Sequence, residues 1–122
     1  PMTGLAYDWF GRVWLNPPYS YPLIERFAEK IVQQYSMGNV NEAIILTNNS
    51  TDTAWFHMLI DYPVCFLRGR VRFWGSDGAT GAPLQGQAIF YLGMNVARFA
   101  EFFKKWGRVV AAYDTLGNGV QP

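Results

Sequence analysis

Residues 13 to 20 read Val13-Trp14-Leu15-Asn16-Pro17-Pro18-Tyr19-Ser20, an apolar run that passes into a polar side chain, two prolines and an aromatic, with a helical pattern starting at Pro22. Two consecutive prolines offer no backbone N–H to a ladder and have fixed φ, so the segment is predicted to be a strand that ends at Asn16 in a rigid loop. Asn16 then lies at the carboxyl end of a strand, where open α/β sheets bind their ligands. Its side-chain oxygen can accept from an amino group, and the carbonyls of Pro17 and Pro18 are fixed and free to accept as well. Two acceptors converging on one nitrogen can hold an exocyclic amine. Tyr19 adds a flat face on which a base extruded from a duplex could stack. The plain alternative is a polar turn that joins a strand to a helix.

The rest of the chain reads as one α/β domain. From Pro22 the residues Leu23, Ile24, Phe27, Ile31 and Tyr35 recur at helical spacing, with Gly38 past the end. Ala43 to Leu46 is a continuous apolar run of the kind found in buried parallel strands, and it runs into Thr47-Asn48-Asn49-Ser50-Thr51-Asp52. Asp52 is a plausible cap for a short helix, and Val64 to Leu67 makes a third strand. Val71 and Phe73 alternate with Arg70 and Arg72, a period of two that suggests a strand with one polar face. Residues 75 to 83 form a loop dense in turn residues, Ala88 to Leu92 a strand, and Asn95 can cap a helix that Gly107 stops. Val109 to Ala112 closes with another strand. The order strand, helix, strand, helix, strand predicts a mostly parallel sheet, and the later strands, with no helix between them, an antiparallel edge.

Ten Lys plus Arg stand against nine Asp plus Glu, a net charge of +1, so any contact with nucleic acid must come from a local patch. Arg68, Arg70 and Arg72 would project from one face of a strand and suit an anionic backbone; a solvated strand face is the alternative. Asn48 and Asn49, after a buried strand, are candidates for polar contacts to a substrate, or only cap the next helix. His57 reads as packed or surface-exposed rather than catalytic, and the five tryptophans as core. The single cysteine, Cys65, sits in an apolar run and reads as a buried thiol in a reducing compartment. No segment has the length of a transmembrane helix or the pattern of a signal peptide, so a cytoplasmic protein is expected. No cluster has metal-ligand spacing.

Asn16-Pro17-Pro18-Tyr19 matches the motif of amino-methylating DNA methyltransferases. With Gly4-Leu5, Trp9, Gly11-Arg12-Val13-Trp14-Leu15, Leu46 to Thr53, Trp55-Phe56-His57, Arg68 to Phe73, Gln85-Gly86-Gln87-Ala88, Tyr91 and Gly93, the chain resembles the phage-type DNA N6-adenine methyltransferases, the Dam-like family. The resemblance implies a partial Rossmann-like methyltransferase sheet. It implies transfer of a methyl group from S-adenosylmethionine to the N6 amine of a flipped adenine in DNA, without a metal. Asn16, Pro17, Pro18 and Tyr19 would be the catalytic motif, Asn16 and the Pro17 carbonyl holding the amine and Tyr19 stacking on the base. It also implies a phage or prophage origin, in the cytoplasm of a bacterial host.

In the family the donor loop and its acidic partner precede the catalytic motif, so residues 1–122 are expected to be a catalytic portion whose upstream cofactor-binding half is missing. Asp114 to Gly119 is one residue short of the donor loop found in permuted methyltransferases. An open sheet edge left by the missing half could support a homo-oligomer. Two other readings fit the motif: methylation of another planar amine (cytosine N4, RNA adenine or a protein glutamine), and a non-catalytic DNA-binding or partner subunit.

Overall fold

A computed structural model describes residues 5–69 and 86–113. The elements run β1 (Gly11–Leu15), α1 (Leu23–Ser36), β2 (Val40–Asn48), α2 (Ala54–Leu59), β3 (Val64–Leu67), β4 (Gln87–Leu92), α3 (Val96–Phe103) and β5 (Gly107–Val110). The strands form a single five-stranded sheet in the order β1-β2-β4-β3-β5.

The fold is α/β, but the expectation of a mostly parallel sheet is wrong. Only β1 and β2 pair in parallel, joined through α1; β2–β4, β4–β3 and β3–β5 are all antiparallel. Parallel neighbours need a crossover connection, whereas a strand that returns can pair antiparallel. β4 returns into the gap between β2 and β3 and not onto an edge, and all six of its residues are buried. Val40, Ala43 and Ile45 of β2 face the same way as Phe90 and Leu92, and α1 and α2 cover them with Ile24, Ala28, Ile31, Trp55, Phe56 and Leu59. The opposite face carries Leu46, Cys65, Ile89 and Tyr91 under Phe99 of α3.

Several boundaries differ from the sequence reading. β2 begins three residues earlier and runs on to Asn48. Thr53 caps α2 in place of Asp52, its hydroxyl accepting from the Phe56 N–H at 3.3 Å. Gly107 does not merely stop a helix: it opens β5, where a side chain would strike the Phe66 carbonyl. The expected strand at 71–73 and the loop at 75–83 lie outside the described residues. Trp55 is core, but Trp14 and Trp106 are half exposed, so the described tryptophans divide between the interior and the surface.

Two polar clamps hold the layers. Gln34, 1 % exposed at the last buried position of α1, accepts from the Trp9 N–H at 3.1 Å and the Asn39 side-chain amide at 3.0 Å, and donates to Asp8 Oδ1 at 3.4 Å. It ties the entry segment and the exit of α1 to one side chain. On the other face the Tyr91 hydroxyl donates to Glu42 Oε2 at 2.5 Å and accepts from the Asn95 N–H at 2.9 Å, which pins the start of α3 to β2. Burial and the Glu42 carboxylate both raise the Tyr91 pKa. Cys65 is fully buried, as expected, and burial pushes its thiol pKa up.

Replacing Gln34 with Ala leaves the Trp9 N–H and the Asn39 amide without their acceptor, and buried groups stripped of a partner typically cost ~1–3 kcal/mol. The expected outcome is a lower urea midpoint with an unchanged m-value.

Candidate functional site

With β1, β2 and β3 running one way and β4 and β5 the other, one end of the sheet gathers the carboxyl ends of three strands and the starts of the other two. In register, Asn48 stands opposite Gln87, and Asn49 continues the ladder by donating its N–H to the Gly86 carbonyl at 3.1 Å. Asn16 leaves β1 at this same end, exposed, and is followed by a buried Pro17 and an exposed Pro18. From there the loop reaches back over the end of β2.

Tyr19 brings these parts together. Its hydroxyl bonds the side chain of Gln87 and lies 3.5 Å from Asn16 Oδ1, a long contact in which the phenol donates. Gln87 is 3 % exposed, so a buried amide fixes a ring that is itself open to solvent on one side. Burial raises the Tyr19 pKa, and the bond from Gln87 opposes that rise. The phenol therefore keeps its proton at neutral pH and can donate toward Asn16.

The polar loop after β2 is braced from within. Thr51 N–H donates to the Asn49 carbonyl at 2.9 Å and Thr53 Oγ1 to the Ser50 carbonyl at 2.8 Å. His57 Nε2 bonds the Thr51 carbonyl at 2.8 Å; since a carbonyl only accepts, Nε2 carries the proton. His57 is a brace for this loop. Gly86 has its own part: a Cβ there would sit 2.7 Å from Asn49 Nδ2, so the glycine is what leaves room for the Asn49 carboxamide.

The structure thus brings Asn16, Pro17, Pro18, Tyr19, Asn48 and Asn49 to one sheet end. Arg68 lies at that end too, but exposed and just past β3, two strands along from β2; its N–H extends the β3–β5 ladder to the Trp106 carbonyl at 2.9 Å. Arg70 and Arg72 lie outside the described residues. Gln87 was not singled out from the sequence. Its signal was a lone amide opening an otherwise apolar strand, at a position that the family resemblance already included.

A family model, DNA N-6-adenine-methyltransferase (Dam), matches residues 2–96 of the 122. The chain belongs to this family. The match takes in the Asn16–Tyr19 loop, the loop after β2, and Gln87, and it stops at the first residue of α3. The chain is also similar to a DNA N-6-adenine-methyltransferase of Escherichia phage T1, 43 % identical over 57 residues. Those residues are 44 % of this chain and 22 % of that relative, so the matched segment spans under a quarter of the phage protein. No solved structure matches. Among the described residues no group of His, Cys, Asp and Glu could hold a metal ion, and no helix is long and apolar enough to cross a membrane.

Two outcomes follow for this Dam-family chain. Gln87→Met keeps the burial but removes the amide, so the Tyr19 pKa should move further up, measured by NMR of tyrosines labelled at Cζ. Tyr19, Tyr62 and Tyr91 all have pKa values raised chiefly by burial. Above the usual phenol pKa of about 10 the folded state then binds more protons than the unfolded one. Stability is therefore fully present below pH ~10 and falls as pH rises beyond it; Tm should be level to about pH 9 and then drop, less steeply in Tyr91→Phe.

Proposed function

We propose that this chain holds the acceptor side of a DNA N6-adenine methyltransferase, on part of a Rossmann-like sheet, and that its substrate is an adenine turned out of the duplex. The observation that carries the reading is the Asn16–Tyr19–Gln87 cluster at the carboxyl end of β1, inside the segment that matches the family. Asn16 Oδ1 and the Pro17 carbonyl accept the two protons of the N6 amine. That leaves the nitrogen lone pair as the one direction open to an incoming methyl group. Such positioning is of order 7 kcal/mol in favourable cases. The Tyr19 ring stacks on the flipped base, and Gln87 keeps the ring at the height at which the base must enter. Asn48 and Asn49 face the polar edge of the base, and Arg68, Arg70 and Arg72 contact the DNA backbone.

The methyl donor that the family implies, S-adenosylmethionine, supplies an already activated methyl group. The side chains assembled around Tyr19 are neutral amides and a phenol, a set that suits a planar amine and not the whole of a charged nucleoside donor. In this reading the chain provides acceptor alignment, and donor binding lies with residues upstream of the motif.

The test combines the chain with the residues that bind the donor and incubates them with tritiated donor and random-sequence duplex, followed by nucleoside mass spectrometry. The expected product is N6-methyldeoxyadenosine, reduced by about two orders of magnitude in Asn16→Ala, in line with the cost of misplacing a reacting group. Label on cytosine N4, RNA or protein would reassign the acceptor. DNA binding that survives Asn16→Ala with no transfer at all would make the chain a binding subunit.

A further inference from the structure

A cavity of about 530 Å³ opens between β3 and β5, lined by Phe66, Arg68, Gly107 and Arg108. Phe66 and Arg108 stand opposite each other in the ladder, with Leu67 opposite Gly107. Gly107 has no side chain to fill the space, and none would fit against the Phe66 carbonyl. The lining is therefore one aromatic residue, one glycine and two arginines.

Both arginines are exposed, and among the described residues neither is paired with a carboxylate; the ion pairs found there are Arg12–Glu42 and Lys104–Glu101. Two cations this close on neighbouring strands repel unless an anion lies between them. Arg108 and all of β5 lie beyond the segment that matches the family.

We propose that this cavity is a phosphodiester-binding site, in which Arg68 and Arg108 together grip a backbone phosphate of the DNA substrate away from the target base. The proposal rests on the function proposed above. Guanidinium forks hold phosphate oxygens in a fixed geometry, and the Phe66 ring gives the adjoining sugar an apolar seat. The place in the fold also fits. With neighbouring strands ~4.8 Å apart, β3 and β5 lie about 14 and 19 Å from β1, which is roughly four to six base pairs of B-DNA at ~3.4 Å each. The site would orient the duplex so that the target reaches Asn16, while reading no sequence itself.

The experiment measures binding of this chain to a fluorescent random-sequence duplex across a salt series, alongside the methylation assay. Each phosphate contact contributes about 0.9 to the slope of log affinity on log salt. Arg108→Gln and Arg68→Gln should each lower the slope by about that amount, on every sequence alike, while Arg108→Lys keeps it. Arg12→Gln, which removes a cation at the far end of the sheet, should leave it unchanged. Thermal melts equal to wild type would show that the variants are folded.

Slopes unchanged in both Gln variants would overturn the proposal. It would also fail if deoxyadenosine monophosphate or inorganic phosphate bound in an Arg108-dependent way while the duplex slope stayed constant, since the cavity would then serve a free anion. The two readings separate cleanly: methylated adenine with unchanged slopes removes the phosphate site alone, and altered slopes with no methylated adenine remove the methyl-transfer reading alone.

Discussion

The structure depends on β4 lying between β2 and β3. Its six residues are buried on both faces, so Phe90 and Leu92 complete the core under α1 and α2 while Ile89 and Tyr91 meet α3. Burying a large apolar side chain stabilises by roughly 1.5–3 kcal/mol, and β4 contributes on both sides of the sheet at once. Its antiparallel direction has a second effect: it brings the start of the strand, and so Gln87, back to the end where β1 and β2 finish. A parallel β4 would have presented Leu92 there instead.

That one reversal links fold to chemistry. Tyr19 belongs to a loop that leaves β1, yet its hydroxyl is held by a residue from a strand two places along. The prolines set the path of the loop, and the Gln87 amide sets the height of the ring. Opposite, the bond network from Asn49 to His57 of α2 holds the loop after β2. The site is therefore polar side chains on short, braced segments, carried by strands that are themselves apolar.

What could be read from the sequence was what is decided locally. The end of β1 at Asn16 follows from the prolines, and α1 from its spacing and from Gly38, whose φ of 88° only a glycine takes without strain. The partner of an apolar run is not written in the run: Ala88 to Leu92 is equally good as an edge or a centre, and only the packing of two faces put it in the middle. Gln34 was passed over because an amide among apolar helix positions looks like a solvent residue, and its role appears once Trp9, Asp8 and Asn39 converge on it. Gln87 was part of the family match but had no assigned role, because its partner Tyr19 lies on a distant loop. The Asn16–Tyr19 motif could be recognised, but the buried amide that completes its geometry comes from about seventy residues away.

The central claim is that this sheet end holds a planar adenine amine. It is tested most directly by titrating adenosine, with N6,N6-dimethyladenosine as the comparison, into the chain while the side-chain amides of Asn16, Asn48, Asn49 and Gln87 are followed by ¹⁵N NMR. The account predicts saturable shifts at Asn16 and Gln87 with adenosine, much weaker with the dimethyl compound, which has no N6 proton to donate. Equal shifts with both nucleosides, or shifts only at amides elsewhere in the chain, would contradict it.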